Sequence, residues 1–250
     1  MDVERRRGVD RPRTDVDGCD ARHGFSFGAH YDPANTFFGA LLAHNDERIA
    51  PGAGYPAHTH READLLTWVV SGALRHTDSL GTARTVRPGE VQVLAAGTGV
   101  EHAELCTGPE PVRFVQAWLV PDALDPPAVH SRDVVAELAT GRPVLVAAGA
   151  RIGEGAEPRS APAATTDPLP LRRADAALWA AHLAPGASWT LPQARFRHVY
   201  AVRGGAHTPA GELAEGDELR ITGEGRAELT AGADGAEVLV WAMGSDLRPT

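Results

Sequence analysis

Short apolar runs closed by glycine or proline recur along the whole chain. Leu65-Leu66-Thr67-Trp68-Val69-Val70 is rich in β-favouring side chains and stops at Ser71-Gly72. Val91-Gln92-Val93-Leu94 is launched by Pro88-Gly89, and Phe114 to Val120 is a third such run. Each predicts a strand. Phe25 and Phe27 predict an edge strand, and Phe37 to Ala43 another strand, closed by a turn at Asn45-Asp46-Glu47. Ala73 to His76 continues from Gly72 towards a turn at Asp78-Ser79-Leu80-Gly81, which makes His76 a surface hairpin side chain. Further on, the pattern predicts a turn-rich bridge over Pro121 to Pro127 and a short helix over Asp133 to Leu138. Then come strands at Pro143 to Ala148, Ala180 to Leu183 and Trp189 to Leu191, with a loop from Gly153 to Pro170.

The runs repeat at long period. His198 to Gly205 echoes Thr67 to Gly72, Leu213 to Leu219 echoes Val86 to Val91, and Glu237 to Met243 echoes Phe114 to Val120. Twenty-seven glycines and 19 prolines supply the turns that many short strands need. The expected fold is all-β, two similar barrels packed together. Residues 1–22, dominated by Arg and Asp, are expected to be a mobile arm. Residues 23–121 form the first barrel, 122–142 the bridge and 143–250 the second barrel.

A net charge of −9 argues against the basic face that direct nucleic-acid binding requires, while leaving a protein partner open. Two cysteines, Cys19 and Cys106, make no disulfide framework. No apolar leader and no apolar run of roughly 18 residues is visible, so the expectation is a soluble, cytoplasmic protein with no membrane segment.

The chemistry concentrates between Gly52 and Glu104. His58 and His60 lie two residues apart, and so do His102 and Glu104. Side chains at i and i+2 of a strand point to one face, so each pair can aim two donors at one point. Three imidazoles and a carboxylate suit a first-row ion such as iron, copper, nickel or zinc. The helical HExxH spacing is absent. In the second copy Thr190 and Pro192 stand near the His58 and His60 positions and no His-x-Glu follows Leu219, so one ion per chain is expected. Gln116 and Trp118 share a strand face and are candidates for lining a pocket. Cys106, which continues the parity of His102 and Glu104, reads as a small buried or rim side chain. Gly24 to Gly28 formally matches GxSxG but lacks the flanking strand and helix that a nucleophilic serine needs. Gly97-Thr98-Gly99 opens no helix and reads as a tight turn rather than a phosphate loop.

The stretches HGFSFGAHYDP, HTHREADLLTWVVSGALRHTDSLG, RPGEVQVLAAGTGVEHAE and FVQAWLVP resemble the pirin family of the cupin superfamily over about residues 24–121. The resemblance implies two cupin domains, jelly-roll-like β-barrels, in one chain. It implies a divalent transition metal held by His58, His60, His102 and Glu104. Iron is the first choice, with nickel, copper, cobalt, manganese or zinc as alternatives. Two departures stand out. Asp64 fills an acidic position that is usually Glu, and HTHREAD replaces an HPHR-type stretch. The implied activity is that of a quercetin 2,3-dioxygenase, taking a flavonol and O₂, with Glu104 as the economical general base. A redox-sensitive regulator with a protein partner, or an enzyme for another small molecule, are the alternative implications. No flavin, nucleotide or haem motif is present.

Overall fold

The computed structural model describes residues 1–153 and 167–247. Its strands in chain order begin with β1 (Asp2–Arg6), β2 (Arg13–Val16), β3 (Cys19–His23), β4 (Leu41–Ile49), β5 (Gly54–His60) and β6 (Asp64–Ser71). They continue with β7 (Leu74–Asp78), β8 (Ala83–Val86), β9 (Glu90–Ala95), β10 (Val100–Cys106), β11 (Val112–Leu119) and β12 (Ala128–Asp133). After helix α1 (Val135–Leu138) come β13 (Val144–Ala148), β14 (Leu169–Pro170), β15 (Ala176–Leu183) and β16 (Ser188–Thr190). The last are β17 (Phe196–Thr208), β18 (Gly211–Leu213), β19 (Glu218–Thr222) and β20 (Glu228–Met243). No helix among the described residues is long and apolar enough to cross a membrane.

The first half has one sheet in the order β12-β9-β6-β11-β4-β3-β2 and a smaller one in the order β5-β10-β7-β8. The second half repeats both orders. Its main sheet runs β1-β19-β17-β20-β15-β13-β14, while β16 and β18 pair with the long strands β20 and β17. Those two strands each do the work of two first-half strands: β17 matches β6 plus β7, and β20 matches β10 plus β11. The repeat read in the sequence is therefore a repeat of barrels.

β6 is buried on both faces, and the period-2 geometry of a strand separates its two environments. Leu66, Trp68 and Val70 join Val115, Ala117 and Leu119 in a core shared with Leu178, Tyr200, Leu239 and Trp241 of the second half. Leu65 and Val69 point the other way, into two small apolar clusters at opposite ends of the first barrel. The second barrel is filled instead by one apolar cluster that includes Trp179, Trp189, Leu191, Leu213 and Leu229.

Several expectations are corrected. Residues 1–22 are not a loose arm. β1 pairs with β19 through five residue pairs, and β2 and β3 extend the first main sheet. The ladder is made by backbone groups, which charged side chains do not prevent, and Val3 packs on the second-barrel core. The bridge likewise contains β12, which pairs with β9 through six residue pairs before α1. Each half thus borrows an edge strand from outside its expected limits. Asn45, Asp46 and Glu47 do not turn the chain but sit buried in the middle of β4. Their polar groups find distant partners: Asn45 bonds His23, Glu47 accepts from the Tyr55 hydroxyl, and Asp46 takes a forked bond from Arg113 and another from Tyr200. The strand expected from Phe37 begins only at Leu41, and Phe25 is a core side chain outside any strand. β15 starts at Ala176, earlier than expected. The expected loop from Gly153 lies largely outside the described residues, and Leu169–Pro170 forms a short strand parallel to β13.

Candidate metal centre

β10 lies between β5 and β7 in the smaller sheet. Along β10 the buried positions alternate, so that Val100, His102, Glu104 and Cys106 face the barrel interior. His102 stands directly across from His58, and Val100 across from His60. Every pair of the rings of His58, His60 and His102 has centroids 4.5 to 4.9 Å apart. The Nε2 atoms of His58 and His60 are 3.0 Å apart. That is the spacing of two nitrogens held at right angles by one ion at about 2.1 Å from each. His58 Nδ1 donates to the Pro56 carbonyl at 2.8 Å, which leaves its Nε2 as the lone-pair atom. His102 Nε2 is buried and has no hydrogen-bond partner. A buried acceptor without a partner is costly unless something takes its lone pair. The donor set fits a metal ion.

Glu104 stands slightly apart. The three imidazole donors lie within 4.8 Å of one another, whereas Glu104 shares that span with His102 and His76. Of the four expected ligands, three converge and the carboxylate flanks them on the His102 side. Gln116 Nε2 donates to Glu104 Oε2 at 2.9 Å, and Trp118 Nε1 donates to Gln116 Oε1 at 2.9 Å. Gln116 and Trp118 thus line the site, as their shared face suggests.

Burial sets the protonation states. It pushes the Glu104 carboxyl up to about 7, against the opposing hydrogen bond from Gln116. Burial, followed by the nearby His58, lowers His60 to about 4; burial with His58, His60 and His76 lowers His102 to about 3. Neutral imidazoles are the form that binds a metal.

Aromatic rings stand beside the donors. Trp118 meets the His60 ring edge-on at 4.8 Å, Phe27 meets Trp118 at 5.3 Å, and His23 stacks on Phe27 at 4.9 Å. Asp64 takes no part: buried at the start of β6, it accepts the Arg172 backbone N–H at 2.8 Å and ties the halves together. Cys106 packs in an apolar cluster and donates to the Glu110 carbonyl. His76, read in the sequence as a surface side chain, is fully buried beside His102. In the second barrel Leu191 donates its N–H to the Ala227 carbonyl, the place where His58 faces His102 in the first. The sequence echo, with Thr190 and Pro192 at the ligand positions, is thus one residue out of register. Leu191, Ala227 and Leu229 are apolar, and the described residues of that barrel offer no converging donors there.

The family model Pirin matches residues 5–119, the part that carries this barrel. A Mycobacterium tuberculosis protein named "Putative quercetin 2,3-dioxygenase" is 40% identical over 248 residues, 98% of this chain and 96% of that one. The Escherichia coli K12 protein named quercetin 2,3-dioxygenase is 36% identical over 118 residues, 47% of this chain and 51% of that one. Among solved structures, the bacterial pirin YhhW from Escherichia coli in complex with nickel(II) superimposes with a TM-score of 0.84 at 26% identity, covering 97% of this chain and 99% of that one. Identity sustained over nearly the full length of both sequences, on two barrels of the same order, places this chain in the pirin family.

Proposed function

We propose that this protein is a metal-dependent dioxygenase that opens the ring of a flavonol such as quercetin, using a mononuclear centre held by His58, His60, His102 and Glu104. The observation that carries the proposal is the convergence of three imidazoles beside a buried carboxylate, with aromatic rings next to them. Iron is the first candidate ion, and the nickel(II) bound by YhhW makes nickel the second. Such an ion supplies Lewis acidity and open coordination positions for a substrate oxygen and O₂. The names of the relatives support the reaction class.

The chain's own residues do the rest. Glu104, the one carboxylate among the four residues that would hold the ion, takes a proton from the 3-hydroxyl of the flavonol. Gln116 holds one oxygen of Glu104, and Trp118 holds Gln116. The rings of Trp118 and Phe27 offer a planar substrate the offset or edge contacts that aromatic pairs favour.

The test is O₂ uptake with quercetin per bound metal, wild type against Glu104→Gln. The variant keeps a carbonyl oxygen and its place beside Gln116 but loses the basic oxygen. Its rate per metal is expected to fall by about a hundredfold or more. Equal rates would remove Glu104 as the base. No uptake by the metal-loaded wild type would refute the flavonol reading.

A further inference from the structure

His76 and Asp78 form a fully buried pair on β7 that the proposed reaction does not use. β7 flanks β10 on the side away from β5, with Asp78 across from His102 and His76 across from Glu104. His76 Nε2 lies 2.9 Å from Asp78 Oδ2. On its other edge, His76 Nδ1 lies 3.5 Å from His102 Nδ1. Asp78 Oδ1 is already occupied, accepting the backbone N–H groups of Leu80 at 2.9 Å and Thr82 at 3.0 Å. We propose that Asp78 and His76 are positioning residues that fix the tautomer of His102, so that its bare nitrogen faces the metal.

The direction of the chain follows from what each atom can do. A carboxylate only accepts, so the proton between His76 and Asp78 sits on His76 Nε2. With that single proton on the His76 ring, Nδ1 is a lone pair, and it accepts from His102 Nδ1–H. One proton on a neutral imidazole leaves the other nitrogen bare, and on His102 that atom is the buried, unpartnered Nε2. His58 reaches the same end by a shorter route, through the Pro56 carbonyl. His102 has no carbonyl in that role, and a carboxylate acting through a second imidazole replaces it. His76 is thereby kept out of the ligand set, since its nitrogens meet Asp78 and the rear edge of His102.

This inference rests on reading His58, His60 and His102 as the metal donors. Asp78→Asn tests it with almost no change of shape. The backbone N–H groups of Leu80 and Thr82 hold the oxygen of the new amide, so its NH₂ turns to His76 Nε2. His76 must then carry its proton on Nδ1 and donate to His102, which moves the His102 proton to Nε2, the metal side. A wrong tautomer forced by an Asp-to-Asn change behind a histidine is known to disable a catalytic triad. The expected result is a ten- to hundredfold loss of nickel or zinc affinity, about the usual cost of losing such a support, measured by competition with a chelator. In the metal-free protein, long-range ¹H–¹⁵N correlation should show His102 protonated at Nδ1 in the wild type and at Nε2 in Asp78→Asn. Wild-type affinity in a folded Asp78→Asn, or a wild-type His102 protonated at Nε2, overturns the proposal. The second measurement needs no variant, so a misfolded Asp78→Asn does not remove the test. Failure of the underlying reading looks different: His58→Ala would then bind metal as the wild type does.

Discussion

Glu47 is a buried carboxyl of the first barrel, and replacing it with Gln should stabilise the protein in a pH-dependent way. It is 4% exposed, in the middle of β4, and its Oε2 accepts from the Tyr55 hydroxyl. Burial pushes its carboxyl from 4.5 to about 7, beyond what the bonds from Tyr55 and Asn45 restore. A group whose folded value is raised contributes stability that is full below the unfolded value and is lost as pH rises through the folded one. The window here is pH 4.5 to about 7. At about 1.4 kcal/mol per tenfold, the wild type should lose on the order of 3 kcal/mol across it. Glu47→Gln is neutral throughout and still accepts from Tyr55. The metal-free variant should therefore match the wild type near pH 5 and exceed it at pH 8. At about 2–4 °C per kcal/mol for a chain of this size, the melting temperature should rise by roughly 6–12 °C at pH 8. Thermal and urea unfolding of both proteins from pH 5 to 8 measures the difference. A difference that does not change with pH, or a variant less stable at pH 8, would refute the burial argument.

Three other outcomes follow from the same structure. Arg113→Ala should destabilise by about 3–5 kcal/mol, because it takes from the buried Asp46 its forked ion pair and leaves the Tyr200 hydroxyl bond, and adding Asp46→Asn should recover much of the loss in a double-mutant cycle. Elemental analysis should find one metal per wild-type chain and none in His58→Ala; two per chain would point to donors outside the first barrel. Chelation should leave the far-ultraviolet circular dichroism intact, because the core between the halves and the core of the second barrel are built without the site, and loss of that signal would make the metal structural.

The parts of the fold legible in sequence are those whose signal is local. β6, β9 and β11 are runs of apolar and β-branched side chains between glycines or prolines, and they fall where the pattern puts them. The misread parts depend on partners far along the chain. Asn45-Asp46-Glu47 has the composition of a turn, and only Arg113, Tyr200, Tyr55 and His23 make it tolerable inside a strand. β1 and β12 are edge strands of polar sequence whose ladders use backbone groups that no side chain advertises. At the site, period 2 made the pairs His58/His60 and His102/Glu104 visible. The same rule applies to His76 and Asp78, also two residues apart, but Asp78 with the following Ser and Gly reads as a turn and hid the pair.

The exchange of edge strands has a consequence for biosynthesis. Asp2 pairs with Thr222, so β1 leaves the ribosome about 220 residues before its partner β19 exists. During that interval its ladder groups have no native acceptor, and the charge carried by its Arg, Asp and Glu side chains is what discourages wrong pairings. Closing so long a loop adds little entropy beyond a loop half as long, but it places the closure late in the order of assembly. The first barrel, edged by the nearby β12, can assemble while the chain is still being made, whereas the second stays open at β19 until β1 returns to it. A bulky domain joined just ahead of β1 would therefore slow the completion of the second barrel, far along the sequence from where it was attached.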